Sequence, residues 1–159
     1  MNTLKKRPLV LGLLWLAAMA GIFSCGKTVD SPTQISDHNL NISHNPSSNC
    51  MSCHMPGQIG TGKGNFTVAG TIYDSFQNNQ YPNTYIRFYT GPNGTGTLKY
   101  TIKGDKFGNF YTTEAMDMKE GLYVSVQGIN AAKHMSTPVY VGQCNSCHNK
   151  KITSRIWCR

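Results

Sequence analysis

The residues of this 159-residue chain best suited to chemistry form a pentapeptide that occurs twice, at 50–54 (Cys-Met-Ser-Cys-His) and 144–148 (Cys-Asn-Ser-Cys-His). In each copy two cysteines lie three positions apart, and a histidine follows the second. Two thiols at this spacing can add to the two vinyl groups of one haem, while the adjacent histidine binds the iron from the proximal side. The pattern therefore predicts two covalently bound haem c groups, attached through Cys50, Cys53, Cys144 and Cys147.

Five histidines are available to coordinate the two irons. His54 and His148 are the predicted proximal ligands, because each directly follows its cysteine pair. On the far side, His44 and His134 are the predicted ligands, because each lies shortly before one of the motifs, and His38 is the spare histidine. Methionine is the competing ligand type, and an iron with an open sixth position would permit small-molecule chemistry. The candidate methionines are Met51, Met55, Met116, Met118 and Met135.

Two other uses of paired cysteines are less consistent with this sequence. A structural zinc site does not require a histidine after each second cysteine. Disulfide exchange of the thioredoxin type requires a βαβ context, which the sequence does not indicate. Cys158 has no evident partner in the sequence, and it is either a buried thiol or half of an intermolecular disulfide.

The N-terminus has the pattern of an export signal. Three basic residues at 5–7 precede a 15-residue apolar run at 9–23, which is shorter than the about 20 residues that a membrane-spanning helix needs. Residues 22–25 (Ile-Phe-Ser-Cys) resemble the lipobox of bacterial lipoproteins. This resemblance implies a signal peptide at 1–24 and a lipid on Cys25 that anchors the protein without spanning the membrane. The alternative is ordinary signal-peptide cleavage after Ala20. Residue 26, which would follow the lipidated cysteine, is Gly and lacks the acidic side chain that retains some lipoproteins at the inner membrane, so the outer membrane is favoured.

Length and charge exclude several classes of protein. The chain is long enough for one ordinary domain and too short for a multidomain enzyme. The net charge of +8 includes the three basic residues of the signal, and no run of five basic residues occurs. An exported protein with dispersed charge is a poor candidate for nucleic-acid binding, so no nucleic-acid partner is predicted.

The remaining sequence predicts a mainly β fold. A polar segment at 25–48 has no apolar periodicity and is interpreted as a tether or an irregular wrap, and residues 49–64 form the first haem segment. Alternating apolar residues then predict a small antiparallel β-sandwich over 65–128, and residues 129–159 form the second haem segment. Both haem segments are expected to be irregular or short-helical. The strand patterns lie at 66–73, 85–89, 98–102, 107–111 and 122–126.

Two further resemblances follow from these residues. Residues 68–126 resemble the prealbumin-like sandwich of carboxypeptidase regulatory-like domains, which implies a structural or binding module. This resemblance rests on residues 68–74 (VAGTIYD), 86–89 (IRFY), 105–110 (DKFGNF) and 121–124 (GLYV).

The two pentapeptides and the export signal resemble those of small dihaem c-type cytochromes of the bacterial envelope. That resemblance implies a one-electron carrier with envelope redox proteins as donor and acceptor. The alternatives are a haem enzyme, either a peroxidase or a reductase, with one open iron position, and a lipoprotein that uses its sandwich for ligand binding or adhesion. Because strand ends meet at the rims of a sandwich, the flanks 37–56 and 132–150 are predicted to meet, with the haems side by side.

Overall fold

The computed structural model describes residues 33–60 and 64–159, and their regular structure is almost entirely β. The predicted signal peptide at 1–24 and the lipid site at Cys25 lie outside the described residues. No helix within the described ranges has the length and apolar character needed to cross a membrane. The strands are β1 (Val68–Tyr73), β2 (Tyr85–Tyr89), β3 (Leu98–Lys103), β4 (Asn109–Thr112), β5 (Tyr123–Gln127), β6 (Ala132–His134), β7 (Gly142–Gln143) and β8 (Ile156–Trp157).

Two four-stranded sheets confirm the predicted mainly β fold. The first sheet has the order β4-β1-β7, with β8 also paired to β1, and the second has the order β3-β2-β5-β6. Apolar side chains from both sheets share one buried cluster, as a sandwich requires. The cluster includes Val68, Ile72 and Phe110 from the first sheet and Ile86, Phe88, Ile102, Val124 and Val126 from the second.

The prediction of a purely antiparallel sandwich within 65–128 is wrong in one respect. Strands β7 and β8 pair with β1 in parallel, with Val68 opposite Gly142 and Ile72 opposite Ile156. The chain beyond residue 128 therefore completes both sheets, since β6 also extends the second sheet. Residues 142–157 run along one edge of β1 in the same direction as β1, so both pairings are parallel.

The edge formed by β7 and β8 is interrupted by a one-turn helix, α1 (Cys144–Cys147). Opposite this interruption, the Thr71 backbone N–H donates to Asn145 Oδ1 at 3.0 Å. The buried Asn145 side chain thus satisfies the β1 donor that has no strand partner at this point. Gly70 also lies beside α1, where a Cβ atom would be only 3.0 Å from Cys144 Cβ.

Strand β1 is buried over its whole length, although its sequence suggests only alternate burial. Its inner face contributes Val68 and Ile72 to the main core. Its outer face is covered by the segment around the first pentapeptide, where Ala69 packs in a second cluster with Met51 and Tyr111.

The described part of the predicted tether, residues 33–48, is bound to the sandwich. Ser36 is buried, its N–H donates to the Tyr111 carbonyl at 3.0 Å, and its hydroxyl donates to the Lys103 carbonyl at 2.6 Å. The Asp37 carboxylate pairs with Lys103 Nζ at 2.9 Å, and the hydrogen bond from Lys103 lowers the pKa of Asp37. Residues 33–48 therefore form an irregular segment that wraps around the sandwich, and they do not hang from it as a loose tether.

Candidate functional site

The two pentapeptides have nearly the same local fold. A 3-10 turn at Cys50–Ser52 and helix α1 each place the cysteine pair on one turn. In both, the N–H of the following histidine donates to the carbonyl of the first cysteine at 3.0 Å. Ser52 and Ser146 also match, donating to the carbonyl three residues earlier at 2.7 and 2.6 Å. Residues three apart on one turn are neighbours, so each motif presents two thiols and a histidine together.

The two motif segments are in direct contact, so the predicted meeting of the flanks is confirmed, although it takes place along β1 rather than at a rim of the sandwich. Asn49 Nδ2 donates to Gln143 Oε1 at 3.4 Å, and Asn145 Nδ2 donates to the Ser48 carbonyl at 2.9 Å. Gln143 Nε2 also lies 3.6 Å from the sulfur of Met55. The contact arises because both motifs pack against β1.

At the first motif, His54 is buried and held on an aromatic stack. Its imidazole lies parallel to the Phe66 ring with centroids 4.2 Å apart, and Phe66 stacks on Tyr111 at 4.9 Å. His54 Nδ1 lies 3.4 Å from the Gly64 carbonyl. A histidine whose Nδ1–H is directed at a backbone carbonyl presents Nε2 as its basic nitrogen, which is the usual orientation of a metal ligand.

His44 lies across from His54, with the ring centroids 6.0 Å apart. Imidazole nitrogens bind a first-row metal such as zinc at about 2.0–2.1 Å, so an ion held between two imidazoles separates the ring centres by roughly 6 Å. Both histidines line a cavity of about 640 Å³, together with Cys50 and Cys53. This volume lies in the range of about 300–1,000 Å³ that is common for cofactor sites.

At the second motif, His148 is half-buried and has polar rather than aromatic partners. Its Nδ1–H donates to the Ser154 carbonyl at 2.7 Å, and Thr153 Oγ1 lies 3.1 Å from the same nitrogen. Nε2 of His148 has no hydrogen-bond partner among the described residues, so it is available to a ligand. His148 lines a second cavity, of about 440 Å³, with Cys144 and Cys147.

His134, the histidine predicted for the second iron, also lines this cavity, and its ring lies beside a residue outside it. The imidazole is exposed and lies against Gly94, with Cε1 3.1 Å from the position of a Cβ atom on that glycine. Gly94 does not line the cavity. The prediction that His134 binds iron stays a prediction.

The spare histidine, His38, lies away from both cavities. Its Nε2 is 3.1 Å from the Thr84 carbonyl, and its ring packs edge-on against Tyr85 with centroids 4.8 Å apart. Neither cavity is lined by His38. It therefore serves to attach the wrap to the second sheet.

The environment of the first cysteine in each motif does not favour the thiolate that thiol–disulfide exchange needs. Burial, together with the nearby Cys53 thiol, raises the pKa of Cys50. Burial, together with the nearby Cys50 thiol, raises the pKa of Cys144 to about 12. Cysteines that carry out disulfide exchange have lowered pKa values, because the thiolate is the nucleophile. Cys158 is fully buried in the main core, and burial raises its pKa to about 11, so it is a packing residue.

Sequence reasoning missed the side chains that hold the motifs in place. The sequence pattern marks Phe66 only as a strand residue, and nothing in it marks Asn145 or Thr153 as partners of the second motif. Their roles depend on contacts across the fold: Asn145 bonds to Thr71, which lies 74 residues away in sequence. Such contacts leave no local pattern.

Within the described residues, no group of three or more His, Cys, Asp or Glu side chains is arranged to hold a metal ion by itself. No protein-family model matches the chain, and no curated protein or solved structure matches it either. Function is therefore inferred from the two motifs and their surroundings alone.

Proposed function

We propose that the protein is a dihaem c-type cytochrome, anchored by lipid in the bacterial envelope, that carries single electrons between envelope redox proteins. The observation that carries the proposal is the repeated motif. Two Cys-x-x-Cys-His sequences adopt the same turn, and each lines its own cavity with its cysteines and its histidine.

The chain's own residues would attach and orient the two groups. Cys50 and Cys53 would form thioethers with one haem, and Cys144 and Cys147 would form them with the other. His54 and His148 would bind iron through Nε2, because Nδ1 of each is directed at a backbone carbonyl. When bound, haem supplies reversible one-electron exchange between ferric and ferrous iron.

The packing around the motifs supports a carrier more than it supports thiol chemistry. Apolar and aromatic residues, among them Met51, Phe66 and Tyr111, pack around the first motif, and such surroundings help to set the reduction potential of a bound haem. The hydrogen bonds between residues 48–49 and 143–145 keep the two motifs together. Electron exchange between two groups in one protein benefits from such proximity.

The proposal is tested by counting covalent haems on the exported protein, using intact mass and a pyridine haemochrome spectrum. The expected count is two, falling to one in Cys53→Ser and in Cys147→Ser. Cys158→Ala is the matched control, because it also removes one cysteine, and it should retain two haems. A wild-type mass without added haem would overturn the proposal.

The wild-type spectrum separates the carrier from the enzyme. Six-coordinate irons give two low-spin haems that do not bind carbon monoxide when reduced. Binding of carbon monoxide by one haem of the untreated wild type would instead favour a peroxidase or reductase with an open iron position.

Membrane attachment is the second part of the proposal, and Cys25 carries it. A lipidated cysteine would hold the protein at a membrane face, with the outer membrane favoured. Cys25→Ser should move the exported protein from the membrane fraction to the soluble fraction. If Cys25→Ser protein stays in the membrane fraction and resists alkaline carbonate extraction, lipid anchoring is excluded.

A further inference from the structure

We infer that Met135, rather than His134, is the far-side ligand of the second haem, so that the two haems have different ligands and different potentials. This inference rests on the proposed function. With these ligands, the second haem would receive an electron from the first.

Strand register places Met135 and His134 on opposite faces of the second sheet. Residues directly opposite each other in an antiparallel pair project from the same face. His134 lies opposite Ser125, which in turn lies opposite Arg87, in a row on the outer face. The Met135 N–H donates to the Val124 carbonyl at 2.9 Å, which continues the same register by one residue. Met135 therefore shares the inner face with Val124.

Inner-face residues of the second sheet form much of the wall of the second cavity; His134 also lines this cavity, but its ring lies against Gly94. Val124 and Val126 both belong to the buried core and both line that cavity. Met135 is half-buried, packs against the same core, and lines the cavity with Cys144 and His148. Among the described residues, it is the one methionine that lines either cavity. A thioether and an imidazole are thus present on the walls of one cavity.

Lys133 is the other inner-face residue of β6 that carries a possible ligand atom. Its Nζ lies 3.3 Å from the centre of the Trp157 ring, so the amine is already engaged in a cation–π contact. The thioether of Met135 carries no proton and is free to bind.

The consequence is an ordered pair of haems. At the first site, His44 and His54 are separated by the distance that suits two imidazole ligands. Methionine ligation raises the potential of a haem relative to ligation by two histidines. With haem bound at both sites, one electron would therefore pass from the first iron, which would be oxidised from ferrous to ferric, to the second, which would be reduced from ferric to ferrous. The donor and acceptor are the one-electron redox proteins of the proposed function.

The test compares Met135→Leu, Met135→His and His134→Ala in the haem-loaded protein. Met135→Leu should keep two covalent haems, lose the long-wavelength sulfur-to-iron absorption band of the ferric protein, and bind one equivalent of carbon monoxide when reduced. Met135→His should restore a low-spin second haem and lower the higher of the two midpoint potentials. His134→Ala should keep both the band and the potentials.

Two matched variants complete the design. Met116→Leu removes a half-buried methionine outside both cavities and should leave the spectrum unchanged. Lys133→Ala should also retain the sulfur-to-iron band.

The inference is overturned if carbon monoxide binds after His134→Ala or Lys133→Ala, or if Met135→Leu leaves two low-spin haems. These outcomes differ from failure of the proposed function, in which wild-type protein carries no covalent haem.

Discussion

The two Cys-x-x-Cys-His motifs share a sequence pattern and a similar backbone turn, yet they have different surroundings. His54 is buried on the Phe66–Tyr111 stack, and His148 is half-buried with its ring bonded to Ser154. The residue after the first cysteine also differs: Met51 packs in an apolar cluster, and Asn145 bonds to β1. The same chemical motif is thus held by apolar packing at one site and by hydrogen bonds at the other.

This difference follows from where each motif meets β1. The first motif covers the outer face of the strand, where side chains project and apolar packing is available. The second lies on the strand's edge, where backbone N–H and C=O groups project and need polar partners. The first motif is therefore held by apolar packing against the face of β1, and the second by hydrogen bonds to the edge of β1.

The largest expected effect in this comparison comes from His44, because under the proposed function its removal would leave the first iron without its far-side ligand. His44→Ala should make one of the two haems high-spin and able to bind carbon monoxide, while the covalent haem count stays at two. His38→Ala is the control, since His38 lines neither cavity. If His44→Ala leaves both haems low-spin, the ligation proposed for the first site is wrong.

Met51→Ala should weaken the apolar anchor of the first motif. Truncating a buried methionine costs about 2–5 kcal/mol, and the small cluster here favours the lower end of that range. Urea unfolding of the haem-loaded protein measures the loss. Met55→Ala, a half-buried neighbour, should cost less. An equal loss in both variants would show that Met51 has no special role.

Asn145→Ala should weaken the polar anchor of the second motif by a smaller amount. It leaves the buried Thr71 N–H without its acceptor, and an unsatisfied buried donor costs about 1–3 kcal/mol. Amide hydrogen exchange should quicken at Thr71, and Asn130→Ala on the surface is the control. Unchanged protection of Thr71 would contradict the proposed anchor.

The smallest effect concerns Cys158, the one cysteine of the described residues that belongs to neither motif. Burial raises its pKa from 9.0 to about 11. The folded state therefore disfavours the thiolate, and this contribution to stability is present below about pH 9 and is lost as the pH rises towards about 11. Urea midpoints measured across this range should fall more steeply in wild type than in Cys158→Ala. Parallel curves would indicate an accessible thiol.

Much of the site was predictable because it depends on residues close together in sequence. The spacing of Cys50, Cys53 and His54 specifies one turn, whatever surrounds it. The mainly β class was predictable for a similar reason, since alternation along 85–89 and 98–103 is a local pattern. The pairing of β1 with β7 and β8 was not, because a parallel partner comes from more than 70 residues away.

The sequence alone determined which residues are suited to attach haem, because covalent spacing and donor type are properties of the chain itself. Only the tertiary structure decided that His54 is buried, that His44 lies across from it, and that Met135 rather than His134 shares a face with Val124. A shift of one residue in strand register exchanges the two faces of a strand. Register is set by packing across the sandwich, so no local pattern around His134 specifies it.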